Sequence, residues 1–282
     1  MTGPVEPSPA PSGCIAPIDT VLLADVGNTR IKLAAVSFRG GEQSLPIIER
    51  RLDLASRSFH PSNLDAWLRA AAPGPAVVLV ASVHDVAAAR LEGMVAELAA
   101  TQYRQLRQRR IRHDDLPLEI DLPEPGKVGI DRLAGAAAAN RLRTSGKPAI
   151  VVDCGTAVTV DLLSAEGVFL GGAILPGAVL MSQSLAEGTS KLPHIAPRDQ
   201  DLPPAMPGRS TADAIAAGIG WGVRGAVARL VTEARRSLGD DAQIVLTGGS
   251  RTAVRDEFTH VTEIPDLVLA GIGLAADRAT AR

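Results

Sequence analysis

The sequence predicts an α/β fold of two duplicated halves, each with a mixed sheet flanked by helices, around a central cleft. The main observation is a pattern that occurs twice: an apolar strand, an Asp, one further residue, a Gly, two small residues and a second strand. The copies are TVLLADVGNTRIKLAAV from residue 20 and AIVVDCGTAVTVDLL from residue 149. Strand-like and helix-like segments alternate after each copy, which is typical of α/β proteins. We therefore expect halves over 20–146 and 147–282, preceded by a proline-rich flexible tail over 1–19.

Hydrophobic periodicity and turn residues predict the elements of the first half. Strands are expected over 20–38, as a pair around a turn at 27–29, and then over 45–54 and 76–82. Helices are expected over 61–72, 85–100 and 132–146. The first of these helices begins with proline, with Ser62 or Asn63 as its N-cap, and the last ends at Gly146.

The second half shows comparable signals. Its hairpin covers 149–163, and a strand over 242–250 runs into Thr-Gly-Gly. Helices are expected over 177–188, 209–237 and 268–279. The last of them contains the string GIGLAA, which matches a dinucleotide-binding pattern. We interpret its glycines as helix-packing residues, because the remaining chain leaves no room for the strand and acidic residue that such a site needs.

Composition narrows the function classes. Lys and Arg total 29 against 31 Asp and Glu, and this near-neutral balance argues against a nucleic-acid-binding protein. The basic run over 103–113 lacks interleaved aromatic residues, so we interpret it as a solvated face. Cys14 and Cys154 show no zinc-ligand spacing and suit a reducing compartment, with Cys154 as a small buried residue. No apolar run approaches about 18 residues and no secretory signal is recognisable, so we expect a cytoplasmic protein without a membrane partner.

The repeated hairpin is a candidate phosphate site. A glycine turn leaves backbone N–H groups free to face an anion. Nearby side chains add further donors: Asn28, Thr29, Thr156 and Thr159. A carboxylate repels a phosphate unless a cation lies between them, so Asp25 and Asp153 suit a metal or its water ligands, and Lys32 suits a phosphate. The alternative is ordinary turn chemistry, and the second copy at the head of the second half favours phosphate binding.

A third acidic position is Asp131, in the string VGIDR over 128–132. An Asp-Arg pair at the start of a helix can be a cap, because the helix dipole favours a negative charge in the first turn. It can also be a catalytic pair. The residues alone leave both interpretations open.

Seven strings occur in order along the chain: DVGNTRIK, VGIDR, DCGTAVT, GGAILPG, EGTSKLP, GRST and TGG. In this order they resemble the type III pantothenate kinases, also called the Bvg accessory factor family. The paired hairpins are similar to those of acetate kinase, the sugar kinases, actin and the chaperone ATPases. The resemblance covers residues 21 to about 275 and implies two ribonuclease H-like (actin-like ATPase) domains, which hold nucleotide phosphates between the hairpins.

The resemblance implies ATP-dependent phosphorylation of pantothenate to 4'-phosphopantothenate, the first step of coenzyme A biosynthesis. It implies that Asp131 is the general base on the pantothenate hydroxyl and that Gly129, Ile130 and Arg132 bind the substrate. Thr211 in GRST is implied to reach into the pantothenate pocket of a neighbouring subunit. The implied partners are therefore ATP, pantothenate and a second copy of the chain, in a homodimer with shared pockets. The alternative for GRST is a helix N-cap at Ser210 or Thr211.

The resemblance also assigns the nucleotide site. The first hairpin is implied to bind the ATP phosphates and Mg²⁺ through Asp25 (directly or through water), Gly27, Asn28, Thr29 and Lys32. The second is implied to bind phosphate through Gly155, Thr156 and Ala157, while Asp153 holds a monovalent cation, K⁺ or NH₄⁺. The adenosine-side motif is implied to be Thr247, Gly248 and Gly249, for which a plain strand-to-helix turn is the alternative.

One departure from the family pattern concerns the pocket. Many relatives carry a tyrosine upstream of the Gly-x-Asp-Arg string, whereas LEIDLPEPGKVGIDR here has no aromatic residue and the only tyrosine is Tyr103. Two rival functions stay open: a kinase of another small alcohol, and a nucleotide-binding regulator that has lost turnover. A substrate panel distinguishes the first rival, and ATP binding without phosphoryl transfer would favour the second.

Overall fold

A computed structural model describes residues 20–38, 44–102, 105–196 and 204–276, which form two mixed β-sheets and their helices. The strands of the first sheet are β1 (Thr20–Val26), β2 (Arg30–Ser37), β3 (Ile47–Ala55), β4 (Ala76–Ser82) and β5 (Leu106–Arg110). Those of the second are β6 (Glu119–Ile120), β7 (Ala149–Cys154), β8 (Ala157–Leu163), β9 (Val168–Pro176), β10 (Gln243–Thr247) and β11 (Thr262–Glu263). The helices are α1 (Pro61–Ala71), α2 (Asp85–Thr101), α3 (Ile130–Leu142), α4 (Ala178–Gly188), α5 (Thr211–Leu238), α6 (Thr252–Arg255) and α7 (Leu267–Gly273).

The two sheets share one strand order. In the first sheet the order is β3-β2-β1-β4-β5, in which β1 to β3 pair antiparallel and β1, β4 and β5 pair parallel. The second sheet repeats this as β9-β8-β7-β10-β11 with the same sense at each pairing. The predicted duplicated α/β architecture is therefore confirmed. The boundary between 146 and 147 stays a prediction, and β6, which precedes it, pairs with β9 of the second sheet.

Three hydrophobic clusters explain how the layers stack. The outer face of the first sheet packs against α1 and α2, and the outer face of the second packs against α5. The inner faces of both sheets share one cluster with α3 and α7, which includes Leu23, Val151 and Leu133. Both faces of each sheet are thus covered, which explains why β1 and β7 are almost continuously apolar rather than alternating.

The predicted elements lie where the sequence places them, and for these elements the differences occur at their ends. The N-cap of α1 is His60, whose Nδ1 accepts from the Ser62 amide at 3.4 Å, and not Ser62 or Asn63. The expected end of α3 at Gly146 is wrong. The helix ends at Leu142 because Arg143 is extended, with ψ 151°, and its Nη1 donates to the carbonyl of Ala165 at 2.7 Å.

The sequence did not predict the nine-residue strand β9 or the three shorter strands β5, β6 and β11. Glycines interrupt the apolar pattern of β9, and two-residue strands carry too little signal to be recognised. The interpretation of 103–113 as a solvated face is only partly correct, since residues 106–110 form the edge strand β5. There Arg110 pairs with Glu92 at 2.8 Å and Arg109 pairs with the buried Asp115. Tyr103, the tail over 1–19 and the end of the last predicted helix, 277–279, lie outside the described residues.

The length and apolar composition of α5 do not fit the expectation that the chain has no membrane-spanning helix. By these criteria α5 is the one helix of the described residues that could span a membrane. Core helices of soluble proteins meet the same criterion, and α5 covers the outer face of the second sheet through Val223, Val227 and Val231. Its apolar character is therefore at least partly explained by packing.

Helices α3 and α7 approach each other closely in the layer between the sheets. All seven residues of α7 are buried. A side chain at Gly271 would overlap the backbone of Ala134 in α3. Only glycine permits this approach, because it has no Cβ.

Replacing Gly271 by Ala should lower the free energy of unfolding by about 2 to 3 kcal/mol, since the added methyl can be accommodated only by separating α3 from α7. The matched control is Gly93→Ala in α2, where nothing lies within 4 Å of an added Cβ. That change should raise the free energy of unfolding by about 0.5 to 1 kcal/mol, because alanine favours a helix interior. Urea denaturation followed by circular dichroism measures both. A Gly271→Ala protein as stable as the wild type would contradict the close packing.

Candidate active site

The first carboxylate of the site, Asp25, lies near the end of β1 directly opposite Lys32 of β2. The two side chains form an ion pair of 3.6 Å between Lys32 Nζ and Asp25 Oδ2. Alternation along β1 turns Asp25 to the same face as Leu23, toward α3 and α7. Burial raises the pKa of Asp25 to about 6, Lys32 offsets part of this shift, and the charge of Asp131 adds to it. The nearby positive charge is thus too small to offset the burial of the Asp25 carboxylate.

The second carboxylate, Asp153, holds the equivalent place in β7. It lies opposite Thr159 of β8 and shares the inner face of its sheet with Val151. Burial raises the pKa of Asp153 to about 6, Lys32 lowers it, and the charges of Asp25 and Asp131 raise it. Lys32 is therefore a cation shared by both hairpins.

The tips of the two hairpins touch. The hydroxyl oxygens of Thr29 and Thr156 lie 3.0 Å apart in a hydrogen bond. The first tip is supported by Ser56, whose amide donates to the Thr29 carbonyl at 3.0 Å. The second is supported by Gly177, whose amide donates to the Thr156 carbonyl at 3.0 Å. Residues that are 127 positions apart in sequence thus meet at the tips of the two hairpins.

The glycine amides of the hairpins close the turns. The amide of Gly27 donates to the carbonyl of Arg30 at 3.0 Å, and that of Gly155 donates to the carbonyl of Ala157 at 3.0 Å. These two amides are therefore not among the backbone N–H groups that the turns leave free to face an anion. The exposed side chain of Asn28 and the two threonine hydroxyls remain as polar groups at the tips.

Asp131 lies in the first turn of α3, whose N-cap is Gly129. Its Oδ1 accepts the amide of Arg132 at 2.8 Å. Asp131 is thus not the N-cap, but it lies in the first turn, where the helix dipole favours its charge. Its charge also acts on Asp25 and Asp153. A side chain at Gly129 would come within 2.6 Å of Asp131 Oδ1, so the glycine leaves room for the carboxylate.

Arg132 is held by a residue that the sequence analysis did not single out. Its Nε donates to Asp161 Oδ1 at 2.9 Å, and its Nη2 makes a second bond to the same oxygen. The ring of Phe169 lies beside the guanidinium, 5.7 Å from Arg132 Cζ to the ring centre. The sequence signal that could have identified Asp161 is its place in AVTVDLL, the second strand of the second hairpin, which is mainly apolar. The expected donor Thr159 is also used here, since its hydroxyl donates to Asp161 Oδ2 at 3.1 Å.

The Thr-Gly-Gly string begins at the last residue of β10 and leads toward α6, as the strand-to-helix alternative predicts. Thr247 lies opposite Asp153, and its hydroxyl donates to the carbonyl of Pro265 at 3.3 Å. Gly248 has φ 90°, and a side chain there would overlap Asp153 Oδ1 and the backbone of Cys154. The glycine therefore lets this turn lie directly against the second hairpin.

The rest of this turn is tied to the same hairpin. Gly249 is exposed, and the amide of Ser250 donates to the carbonyl of Cys154 at 3.0 Å. Burial raises the pKa of the Cys154 thiol to about 12. Because the thiol stays protonated, Cys154 fits the predicted role of a small core residue.

A cavity of about 330 Å³ lies beside the N-terminus of α3. It is lined by residues from the end of β4, the segment after β5 and the approach to α3: Ser82, Val83, Arg110, Ile111, Arg112, His113, Gly126, Val128, Gly129 and Ile130. Two of the predicted substrate residues therefore border a space of small-molecule size. The basic wall was not predicted as part of a site, because the basic run gives no indication of which elements it will face.

Thr211 lies apart from these groups, exposed at the first turn of α5. The N-cap is Ser210, whose Oγ accepts from the Asp213 amide at 3.1 Å, as one of the two predicted alternatives stated. Within the described residues of one chain, no hydrogen bond or ion pair joins Thr211 to the three carboxylates. The structure of a single chain thus does not bring Thr211 to the site.

The described residues contain no group of three His, Cys, Asp or Glu side chains that could bind a metal without other ligands. Burial nevertheless raises the pKa of both Asp25 and Asp153 to about 6, and Lys32 offsets only part of this shift. Carboxylates suit Mg²⁺, which usually keeps waters and phosphate oxygens as its other ligands. The donor chemistry therefore fits a divalent cation that arrives with a nucleotide.

Comparison with known proteins identifies the family. Residues 21–233 match the family model described as type III pantothenate kinase. A type III pantothenate kinase of Rhodopirellula baltica is 37% identical over 263 residues, which cover 86% of this chain and 94% of that protein.

Solved structures agree at the level of the fold. A protein of Campylobacter jejuni described as a Baf family transcriptional activator aligns with a TM-score of 0.55 at 18% identity, over 93% of this chain and 100% of that one. A 2-dehydro-3-deoxygalactonokinase protein of Sinorhizobium meliloti aligns with a TM-score of 0.50 at 19% identity, over 92% and 96% of the two chains. These similarities support the predicted actin-like ATPase fold. By its sequence over three quarters of its length, and by its fold, this chain belongs to the type III pantothenate kinase family.

Proposed function

We propose that this protein is a pantothenate kinase, which transfers a phosphoryl group from ATP to the 4'-hydroxyl of pantothenate in the first step of coenzyme A biosynthesis. The observation that carries this proposal is the convergence of Asp25, Asp131 and Asp153 around Lys32. Family membership supports the substrates. The converging charges supply what phosphoryl transfer needs, namely positioning and charge neutralisation.

Asp131 is the proposed general base. In a loose transition state the acceptor hydroxyl gives up its proton late, so a carboxylate can accept it once the bond to phosphorus is forming. The first turn of α3 keeps Oδ1 of Asp131 on the amide of Arg132, which orients the carboxylate. Lys32 would offer its ammonium to a phosphate oxygen of ATP. Mg²⁺ bound with ATP would neutralise phosphate charge, and Asp25 would hold it directly or through water.

The hairpin tips are the proposed phosphate contacts. The hydroxyls of Thr29 and Thr156 bond to each other, and a phosphate oxygen can take the place of that bond. The backbone around Gly27, Asn28, Gly155 and Ala157 would enclose the phosphates. The adenosine side is proposed to lie on the turn over 247–249, where Gly248 allows close approach.

The acceptor site is proposed to include the 330 Å³ cavity that Gly129 and Ile130 line. Pantothenate carries a carboxylate, and the cavity wall contributes Arg112 and His113, which suit an anion. His113 is also an aromatic side chain at this wall, in a chain that lacks the pocket tyrosine of many relatives. Arg132 would bind a polar group of the same substrate.

Asp153 is the proposed site of a monovalent cation, K⁺ or NH₄⁺. Its raised pKa indicates that its negative charge is poorly compensated by the protein alone. A monovalent cation would relieve this repulsion beside a polyanionic nucleotide without adding a second strong phosphate ligand.

We also propose a homodimer with shared acceptor pockets. Four exposed positions of α5 form an apolar face: Gly218, Gly222, Gly225 and Trp221, whose surface is 44% exposed. An added Cβ would meet nothing within 4 Å at any of these three glycines, so a second chain has room to approach. A two-fold pairing along this face would cover it and would give Thr211 a neighbouring subunit to reach. Such a dimer also accounts for the apolar surface of α5 without a membrane.

The proposed location is the cytoplasm, where ATP and the intermediates of coenzyme A synthesis occur. The near-neutral charge balance supports the proposal that neither nucleic acid nor a membrane is a partner.

Asp131→Asn should lower kcat with pantothenate by about 10²- to 10⁴-fold, because the acceptor loses its base. ATP affinity should change little, since the phosphate contacts remain. Phosphopantothenate formation with ATP, Mg²⁺ and K⁺ measures the first quantity, and calorimetric titration with ATP measures the second. The matched control is Asp240→Asn, an exposed carboxylate, which should keep full activity. Full activity in Asp131→Asn would contradict the base role, and a wild type that binds ATP without phosphorylating any small alcohol would favour a regulator.

Replacing potassium by sodium or choline should depress the rate strongly, because Asp153 would lose its cation. Protons compete for the same carboxylate, whose pKa is about 6. As the pH falls through that value Asp153 becomes neutral, so the K⁺ concentration for half-maximal activation should rise about tenfold for each pH unit below it. Initial rates against K⁺ concentration at several pH values check this. Equal rates in potassium and choline would refute the cation role.

Gly222→Arg should convert the dimer to a monomer and abolish activity, because a charged side chain would be buried in the α5 contact. Gly93→Arg, at an equally open glycine of α2, should remain dimeric. Light scattering after size-exclusion chromatography measures both.

Shared pockets also predict complementation: mixing and re-associating Asp131→Asn and Thr211→Arg chains should restore one intact site per heterodimer. Activity no greater than that of either variant alone would place Thr211 outside the partner's site.

A further inference from the structure

Asp161 is a buried carboxylate for which the proposed chemistry has no direct use. It is 1% exposed and lies on β8, between Val151 of β7 and Gly172 of β9. Burying a carboxylate costs free energy unless hydrogen bonds and an opposite charge compensate for the lost water. Its retention in the centre of an apolar strand therefore calls for a reason beyond packing.

Both oxygens of Asp161 are occupied by donors. Oδ1 accepts Arg132 Nε at 2.9 Å and also Arg132 Nη2. Oδ2 accepts the hydroxyl of Thr159 at 3.1 Å. Burial raises the pKa of Asp161, and the hydrogen bonds from Arg132 and Thr159 oppose that shift. Since both of its hydrogen-bond partners donate, the site is built for the carboxylate anion.

The surroundings leave Asp161 no freedom to move. A side chain at Gly172 would overlap the Val160 carbonyl and come within 2.8 Å of Asp161 Oδ1, so the neighbouring strand lies directly against the carboxylate. The ring of Phe169 borders the guanidinium of Arg132 on one side. The carboxylate is thus a rigid anchor, and the arginine is the flexible partner that it fixes.

The pairing leaves one end of Arg132 available. Two of its three nitrogens bind Asp161, whereas Nη1 makes no hydrogen bond with any described residue. The side chain keeps 15% of its surface exposed. A buried ion pair adds little net stability compared with apolar side chains of similar size, so fixed orientation of the guanidinium is the better explanation of the arrangement.

We propose that Asp161 is a positioning residue for the acceptor substrate: it fixes the guanidinium of Arg132, with Thr159 holding the other carboxylate oxygen, so that Nη1 is presented to a polar or anionic group of the acceptor. The inference rests on the proposed function, in which Arg132 contacts pantothenate. Asp161 touches neither ATP nor the reacting atoms, so its effect is on acceptor binding and acts through Arg132.

The test is a comparison of Michaelis constants. Asp161→Asn should raise KM for pantothenate about tenfold and leave KM for ATP within about twofold, because only the acceptor contact is loosened. Glu166→Gln is the matched control, since it removes a carboxylate from the exposed turn after the same strand, and it should leave both constants unchanged. In an Arg132→Met background, Asp161→Asn should raise KM for pantothenate less than about twofold further, because a residue that acts through Arg132 has nothing left to orient.

Thermal denaturation of each variant, measured beside the kinetics, shows whether the variant folds. If Asp161→Asn does not fold, Thr159→Val decides, since it keeps the buried charge and removes one of its donors; it should raise KM for pantothenate about threefold. Equal increases in both Michaelis constants, or full additivity with Arg132→Met, would overturn the inference. An unchanged KM for pantothenate in an active protein overturns the inference alone, whereas a wild type that forms no phosphopantothenate overturns it together with the proposed function.

Discussion

The candidate site depends on the electrostatic interaction of Lys32 with the carboxylates of Asp25 and Asp153. Lys32 lies opposite Asp25 across two strands and also acts on Asp153 in the other sheet. One ammonium cannot compensate two buried carboxylates and the nearby Asp131, as the pKa values of about 6 for Asp25 and Asp153 indicate. The group of these four side chains therefore holds an excess of negative charge, which is suited to cations and through them to phosphates.

The layer that holds the fold together also holds the reactive end of the site. The inner faces of both sheets meet on α3 and α7, and Gly271 lets these helices approach to backbone contact. The first turn of α3 carries Asp131 and Arg132. A shift of α3 in this layer would therefore move the proposed base relative to both hairpins. The dense packing of α3 in the core is therefore also what holds Asp131 in position in the site.

The second sheet contributes more than phosphate contacts. Through Asp161 it holds Arg132, and through Gly248 it brings the turn after β10 against Asp153. The first sheet contributes the cavity wall at the end of β4 and after β5. Each half thus supplies parts to both proposed substrate sites.

The sequence by itself determined the duplicated hairpins, the α/β class, and the places of Asp25 and Asp153 at strand ends, because apolar strands that end in Asp-x-Gly are a local signal. Asp131 was singled out through the resemblance of VGIDR to a family pattern, since the residues alone left a helix-terminus role open. The sequence did not determine that the glycine amides close their own turns, that Arg132 pairs with Asp161, or that Arg110 lines a cavity. The sequence also did not determine that the hydroxyls of Thr29 and Thr156 form a hydrogen bond. Such contacts join residues far apart in the chain or depend on exact turn geometry. Only the packing of two sheets on α3 and α7 decides them, because a local pattern fixes the face on which a side chain lies and not the residue that it meets.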